Sequence, residues 1–204
     1  MKSKDISYLA LGDSYTIGEA VELKDNFPFQ LAKILSQEQI EVEPTIVAKT
    51  GFTTDELLEA LQEASLLISY DIVSLLIGVN NQYRGRSIEE FENQFKILVD
   101  KALSFVEGDF KRMFIVSIPD YGYTPFGHEK QQEISLQLNN FNEISKKIAD
   151  IKGIKYFYIT DISRRGIEEP NLIASDGLHP SAEMYKEWVK LMKLDIIKII
   201  KNIE

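Results

Sequence analysis

Leu9-Ala10-Leu11-Gly12-Asp13-Ser14-Tyr15-Thr16 is an apolar run that ends abruptly in Gly-Asp-Ser. A strand that delivers a serine into a glycine-containing turn at its C-terminal end is a favourable place for a nucleophile. Gly-Asp-Ser is also ordinary turn chemistry, and a serine after a strand is equally a helix N-cap, so the tripeptide does not decide function by itself. Its weight comes from the other end of the chain, where Asp176-Gly177-Leu178-His179 supplies an acid and an imidazole. Serine, histidine and acid are the parts of a nucleophilic triad.

Outward from this first run, Ile6–Leu11, four more apolar stretches rich in β-branched residues follow: Glu43–Ala48, Ile72–Ile77, Met113–Ile118 and Lys155–Ile159. They read as continuous apolar runs, the pattern of parallel strands covered on both faces. Segments of helical character alternate with them: Phe29–Gln37, Thr54–Ile68, Ile88–Phe105, Glu129–Ile151 and a last helix over Ala182–Ile203. Thr53 with Glu56 and Ser87 with Glu90 have capping-box spacing, and Gly108 and Gly153 stand where helices should stop. No repeat, low-complexity tract or linker divides the 204 residues. The alternation predicts one α/β domain over residues 1–204, a three-layer α/β/α sandwich around a parallel sheet.

Right-handed crossovers bring the C-terminal ends of all parallel strands to one edge, where ligands bind. Ser14 follows the first strand, Gly51 the second, Asn80 the third, Tyr121 and Tyr123 the fourth, and Asp176 and His179 the fifth. A serine hydroxyl needs a base during attack, and neutral imidazole is the base available near physiological pH. His179 is the candidate base, and Asp176, three residues earlier, is placed to orient it. The charge developing on an attacked carbonyl oxygen needs preorganised donors. The Ser14 N–H, the Gly51 N–H and the Asn80 side-chain amide are the candidates.

With these residues in view, the sequence resembles the SGNH group of GDSL-type serine hydrolases. Four blocks are present in order and span most of the chain: Gly12-Asp13-Ser14, Gly51, Gly78-Val79-Asn80 and Asp176-Gly177-Leu178-His179. The resemblance implies a flavodoxin-like five-stranded parallel sheet, the SGNH hydrolase fold. It also implies a serine nucleophile, an Asp-x-x-His dyad, an oxyanion hole from serine, glycine and asparagine, and no cofactor. Two positions depart from the family pattern. Tyr15 stands where the family name has leucine, beside the nucleophile, and Asn81 replaces the aspartate that commonly follows the block asparagine.

Tyr15, Tyr83 and Arg84 are the candidate substrate contacts; Arg84 suits a carboxylate or phosphate and equally reads as a solvated loop arginine. His128, in the aromatic loop that holds Tyr121, Tyr123 and Phe126, reads as a loop or lid residue. Asp176 and His179 would also serve as two metal ligands, but no third ligand is evident and no metal is expected.

Composition narrows the partners. A net charge of −9 with acids and bases mixed argues against nucleic acid. The absence of cysteine excludes disulfides and thiolate zinc sites. No run approaches the roughly 18 apolar residues of a membrane span, so no stable membrane association is expected. No signal peptide is visible, so the expectation is cytoplasmic, with secretion from a longer precursor left open. The reading is a serine esterase acting on a small-molecule ester, a short acyl group on an alcohol, sugar or lipid. Acyl transfer, thioester hydrolysis and lysophospholipid hydrolysis use the same triad. A non-catalytic binding module is a further alternative, as is a phosphate binder, which the lack of a glycine-rich loop after the first strand opposes. Oligomeric state is not readable.

Overall fold

The five apolar runs become five strands: β1 (Lys4–Gly12), β2 (Ile40–Ala48), β3 (Ile72–Leu76), β4 (Met113–Val116) and β5 (Lys155–Phe157). The structure is a computed structural model that describes residues 4–203. All pairings are parallel and the strand order is β2-β1-β3-β4-β5. This is the flavodoxin-like order, in which the direction of winding reverses between β1 and β3. Every residue of β3 is buried, as a strand covered by helices on both faces requires.

The helices are α1 (Ser14–Ile17), α2 (Phe27–Ser36), α3 (Thr54–Glu63), α4 (Val79–Tyr83), α5 (Ile88–Ser104), α6 (Gln131–Lys152), α7 (Thr160–Ser163) and α8 (Ala182–Lys201). α2 packs against α8, while α3, α5 and α6 pack in sequence, giving the expected three layers. The α2–α8 layer is anchored by Trp188, fully buried between Phe27 and Tyr185. Phe91 does the same for the α5–α6 layer, 4.6 Å from Phe141. Among the described residues, no helix is long and apolar enough to cross a membrane.

Several ends differ from the sequence reading. α3 stops at Glu63, not Ile68, because Ala64 turns to extended backbone. Ten helical residues cover about 15 Å, already close to the roughly 17 Å of a five-residue strand, so a longer helix would overshoot the start of β3. The fourth and fifth strands stop at Val116 and Phe157 because the Ser117 hydroxyl takes over. It accepts the N–H groups of Ile159 (2.8 Å) and Thr160 (3.2 Å) where ladder bonds would otherwise continue. The long helix begins at Gln131, behind a 3₁₀ turn over His128–Lys130. Thr53 does form its capping box, its N–H donating to Glu56 at 2.8 Å. Ser87 caps α5 from one side only, while Glu90 turns to Arg86.

The register places the site. Gly12 lies level with Ala48 of β2 and Leu76 of β3, so three strands end side by side at the reversal point. Ser14, Gly51 and Asn80 all lie within four residues of those ends. The gap at Gly12 leaves no room for a side chain: a Cβ there would lie 2.1 Å from the Thr16 hydroxyl and 2.3 Å from the Leu76 carbonyl oxygen. Gly12→Ala should therefore cost about 3 kcal/mol or more of unfolding free energy, read from urea denaturation. An unchanged midpoint would mean that the turn can widen freely.

Candidate active site

β1 hands the chain to α1 through Asp13, the N-cap, whose Oδ1 accepts the Tyr15 N–H at 3.0 Å. Ser14 is thereby the first residue of a helix only four residues long, with its side chain directed at the end of the sheet. Asp13 itself is fully buried, and its Oδ2 has no hydrogen-bond partner among the described residues. Burial raises its carboxyl to about 7, against the opposing hydrogen bond from Tyr15. Asp13 supports the turn and takes no part in the acid–imidazole pair.

That pair comes from a loop between β5 and α8. His179 Nε2 lies 3.0 Å from Ser14 Oγ, and His179 Nδ1 lies 2.6 Å from Asp176 Oδ2. The other carboxylate oxygen accepts the N–H groups of Leu178 (2.9 Å) and His179 (3.0 Å). Burial opposes ionisation of Asp176, but the hydrogen bonds from His179 and Leu178 outweigh it and hold the carboxyl below its ordinary range. The imidazole is held from behind as well. The His179 carbonyl accepts Ala174 N–H at 2.8 Å, and Ile173 pairs with Pro180 in an antiparallel bridge. Ser181 then caps α8, its hydroxyl accepting the Met184 N–H. The Tyr15 ring meets His179 edge-on, with centroids 5.6 Å apart.

Gly51 stands at φ +88°, a left-handed conformation that favours glycine, and its N–H has no hydrogen-bond partner among the described residues. Asn80 uses one amide N–H to hold the Phe52 carbonyl at 2.9 Å, leaving its second for a ligand. Ser14, His179, Gly51 and Asn80 line one cavity of about 190 Å³, together with Tyr15 and Tyr83. A larger cavity, about 780 Å³, lies at the opposite edge of the sheet among Asp5, Glu41, Glu43 and Asp71, and holds none of these groups.

Arg84 is placed otherwise than as a substrate contact. Its guanidinium donates to the Gly51 carbonyl (2.6 Å) and to Glu56 (3.1 Å), and it does not line the cavity. Asn81 is fully buried and brackets the start of α3, accepting the Thr54 N–H at 3.1 Å and donating to the Thr54 hydroxyl at 2.7 Å. The sequence reading missed a further fastener, the hydrogen bond from the Thr50 hydroxyl to Glu19, which no motif signals. Of the aromatic loop, Tyr121 and Phe126 line the cavity, while Tyr123 and His128 do not. Among the described residues, no group of three His, Asp or Glu side chains could hold a metal ion.

Asp13 gives the nucleophile turn its own pH dependence. A folded-state carboxyl raised to about 7, against about 3.9 in the unfolded chain, favours folding fully only below the lower value. That contribution is lost as pH rises through about 7. Asn at position 13 keeps an acceptor for Tyr15 and removes the titration. The stability of Asp13→Asn relative to wild type should therefore climb between about pH 4 and 7 and flatten above, in urea unfolding at stepped pH. Parallel pH curves for the two proteins would refute the assignment.

Known proteins share this arrangement of chain. No curated protein matches in sequence. Among solved structures, TesA superposes with a TM-score of 0.74 at 15% identity, over 95% of this chain and 99% of that one. The lipase/acylhydrolase from Enterococcus faecalis gives 0.72 at 18%, over 94% and 95%. The W215I variant of Axe2, an acetyl xylan esterase from Geobacillus stearothermophilus, gives 0.72 at 17%, over 98% and 97%. At these identities the likeness establishes the fold, that of the SGNH hydrolases. The family model for GDSL-like lipases and acylhydrolases matches residues 10–187, from the first strand into the last helix. The chain belongs to the GDSL-like lipase/acylhydrolase family.

Proposed function

We propose that this member of an ester-hydrolysing family is a cofactor-independent serine esterase for short acyl groups. The observation that carries the reading is the continuous chain from Ser14 Oγ to His179 Nε2 (3.0 Å) and from His179 Nδ1 to Asp176 (2.6 Å). In the proposed sequence, Ser14 Oγ attacks the ester carbonyl as His179 Nε2 takes its proton. Asp176 keeps the other ring nitrogen as donor and stabilises the imidazolium. The oxyanion is held by the N–H groups of Ser14 and Gly51 and by the free amide N–H of Asn80. His179 returns the proton to the departing alcohol oxygen, leaving an acyl-enzyme. Water, deprotonated by His179, then releases the acid.

The size of the cavity supports a small acyl group. About 190 Å³ is below the roughly 300 Å³ at which drug-sized pockets begin, and a water occupies about 30 Å³ of liquid. Thioester hydrolysis, lysophospholipid deacylation and acyl transfer would use the same acyl-enzyme with a different leaving group or acceptor. Axe2, by its name an acetyl xylan esterase, is consistent with the short-acyl reading.

A fluorophosphonate probe followed by intact-mass measurement tests the nucleophile. One adduct is expected on wild type and none on Ser14→Ala; an unlabelled wild type, or equal labelling of both, refutes the assignment. Arg84 should act through Gly51. Arg84→Ala should lower kcat for p-nitrophenyl acetate by about 10- to 100-fold with KM little changed, short of the full loss of an oxyanion donor. Arg84→Lys should recover part of the loss, because one donor can still reach the Gly51 carbonyl. A rise in KM at constant kcat would instead make Arg84 a substrate contact.

A further inference from the structure

The cavity at Ser14 accounts for an acyl group and leaves the alcohol half of the ester without a place. One wall of that cavity is built from Tyr83, Tyr121 and Phe126, three rings whose centroids lie 6.2–6.3 Å from one another. The same three rings form a wall of a second groove, about 410 Å³, which runs between the end of α4 and the start of α6. Tyr121 is buried, whereas Tyr83 and Phe126 are 60% and 54% exposed, so two aromatic faces stand open at the border between the two spaces.

The groove has an ordered polar floor. The Tyr121 hydroxyl donates to Gln82 Oε1 at 3.0 Å, and Gln82 Nε2 donates to Gln137 Oε1 at 2.6 Å. This relay fixes the Gln137 carboxamide with its nitrogen unpartnered among the described residues. Glu129, Lys130 and Glu133 complete the lining, all exposed. We propose that this groove binds the alcohol portion of the substrate, and that this portion is a neutral, hydroxyl-rich group such as a sugar. The assignment rests on the serine-esterase reading and extends it to the leaving group.

The chemistry selects among alcohols. Hydroxyl groups both donate and accept, and the groove offers carboxylates as acceptors and an amide and an ammonium as donors. The open rings of Tyr83 and Phe126 suit the C–H faces of a sugar ring. A phosphate-bearing alcohol meets two carboxylates against one lysine, in a chain of net charge −9, and is disfavoured. An alkyl chain would desolvate the carboxylates and the amide without replacing their hydrogen bonds.

The test compares 6-O-acetylglucose, whose other hydroxyls are free, with p-nitrophenyl acetate, whose leaving group offers the groove no ring of hydroxyl substituents. Glu133→Ala and Gln137→Ala should each lower the ratio of kcat/KM for the sugar ester to that for the phenyl ester by about tenfold, the loss of one hydrogen bond. Glu133 is exposed on α6 and Gln137 half-buried beside Gln82, and thermal melts identify any variant that is misfolded. The groove assignment is overturned if the ratio stays within about twofold in both variants, or if wild type prefers 1-palmitoyl-lysophosphatidylcholine to the sugar ester. A wild type that is neither labelled by fluorophosphonate nor active on p-nitrophenyl acetate would remove the esterase reading itself. Labelling and phenyl-ester turnover without the ratio change remove only the groove.

Discussion

The site depends on the close approach at Gly12, where β1 ends against α1 and the backbone of β3 with no space for a Cβ. This contact brings the Ser14 turn and the Gly78–Asn80 turn together at the point where the sheet reverses its winding. It also drives Asp13 inward. The Asp13 carboxyl accepts the Tyr15 N–H with one oxygen, and among the described residues its other oxygen, the Thr16 hydroxyl and the Tyr185 phenol have no hydrogen-bond partner. Three unsatisfied polar groups beneath one turn are a local cost, and such costs concentrate where function fixes the backbone. Among the described residues Trp188 Nε1 and Ser135 Oγ also lack partners, but they stand apart from this turn, and other buried groups are paired: the Tyr8 phenol with Ser74 at 2.7 Å, and Asn142 with the Ile118 backbone through both its amide atoms.

The parallel strands were legible in the sequence because burial on both faces leaves an apolar run that needs no partner to be recognised. The residues that the structure brings together at the cavity were legible for a related reason. Ser14, Gly51 and Asn80 stand just beyond such runs, and parallel topology carries them to one edge, whereas Asp176 and His179 reach it on the long loop between β5 and α8. Helix ends were harder to place. α3 shows why, since Leu66, Leu67 and Ile68 continue a helical pattern that the distance back to β3 does not accommodate. Tyr83 and Arg84 show the limit at the level of side chains. They are neighbours in the chain, yet one ring lines the cavity while the next guanidinium reaches the Gly51 carbonyl. Successive positions at a helix end point about 100° apart, and which of them meets the ligand depends on loops far away in sequence.

The Gly51 loop illustrates what such distant loops contribute. Asn80 holds the Phe52 carbonyl, Arg84 holds the Gly51 carbonyl, Glu56 takes the Thr53 N–H, and Glu19 accepts the Thr50 hydroxyl. Four residues from α1's exit, α3 and α4 thus immobilise a stretch with no regular structure of its own. Preorganised donors act at no reorganisation cost when charge develops, so fixing the peptide matters more here than any single contact energy. Asn81 belongs to the same brace. By bonding both Thr54 groups it joins α4 to α3 without a charge, so loss of the commoner carboxylate leaves the fastening intact.

The turn that carries Asp176 and His179 is fastened by a separate set of contacts. The Phe126 N–H donates to the Gly177 carbonyl at 3.0 Å, tying the aromatic loop to the turn that carries Asp176 and His179. That loop is itself anchored by Asp120, fully buried, which accepts the Gly122 N–H and the Arg164 guanidinium at 3.0 Å each. Tyr83, by contrast, projects from α4, the helix that holds the Gly51 loop. The contact between the Tyr83 and Phe126 rings therefore joins the Gly51 side of the site to the His179 side across the mouth of the cavity. A substituent passing between cavity and groove must lie against both rings. Its binding energy then acts on the two halves of the site together, and remote binding energy used to hold reacting groups in place raises turnover as well as affinity.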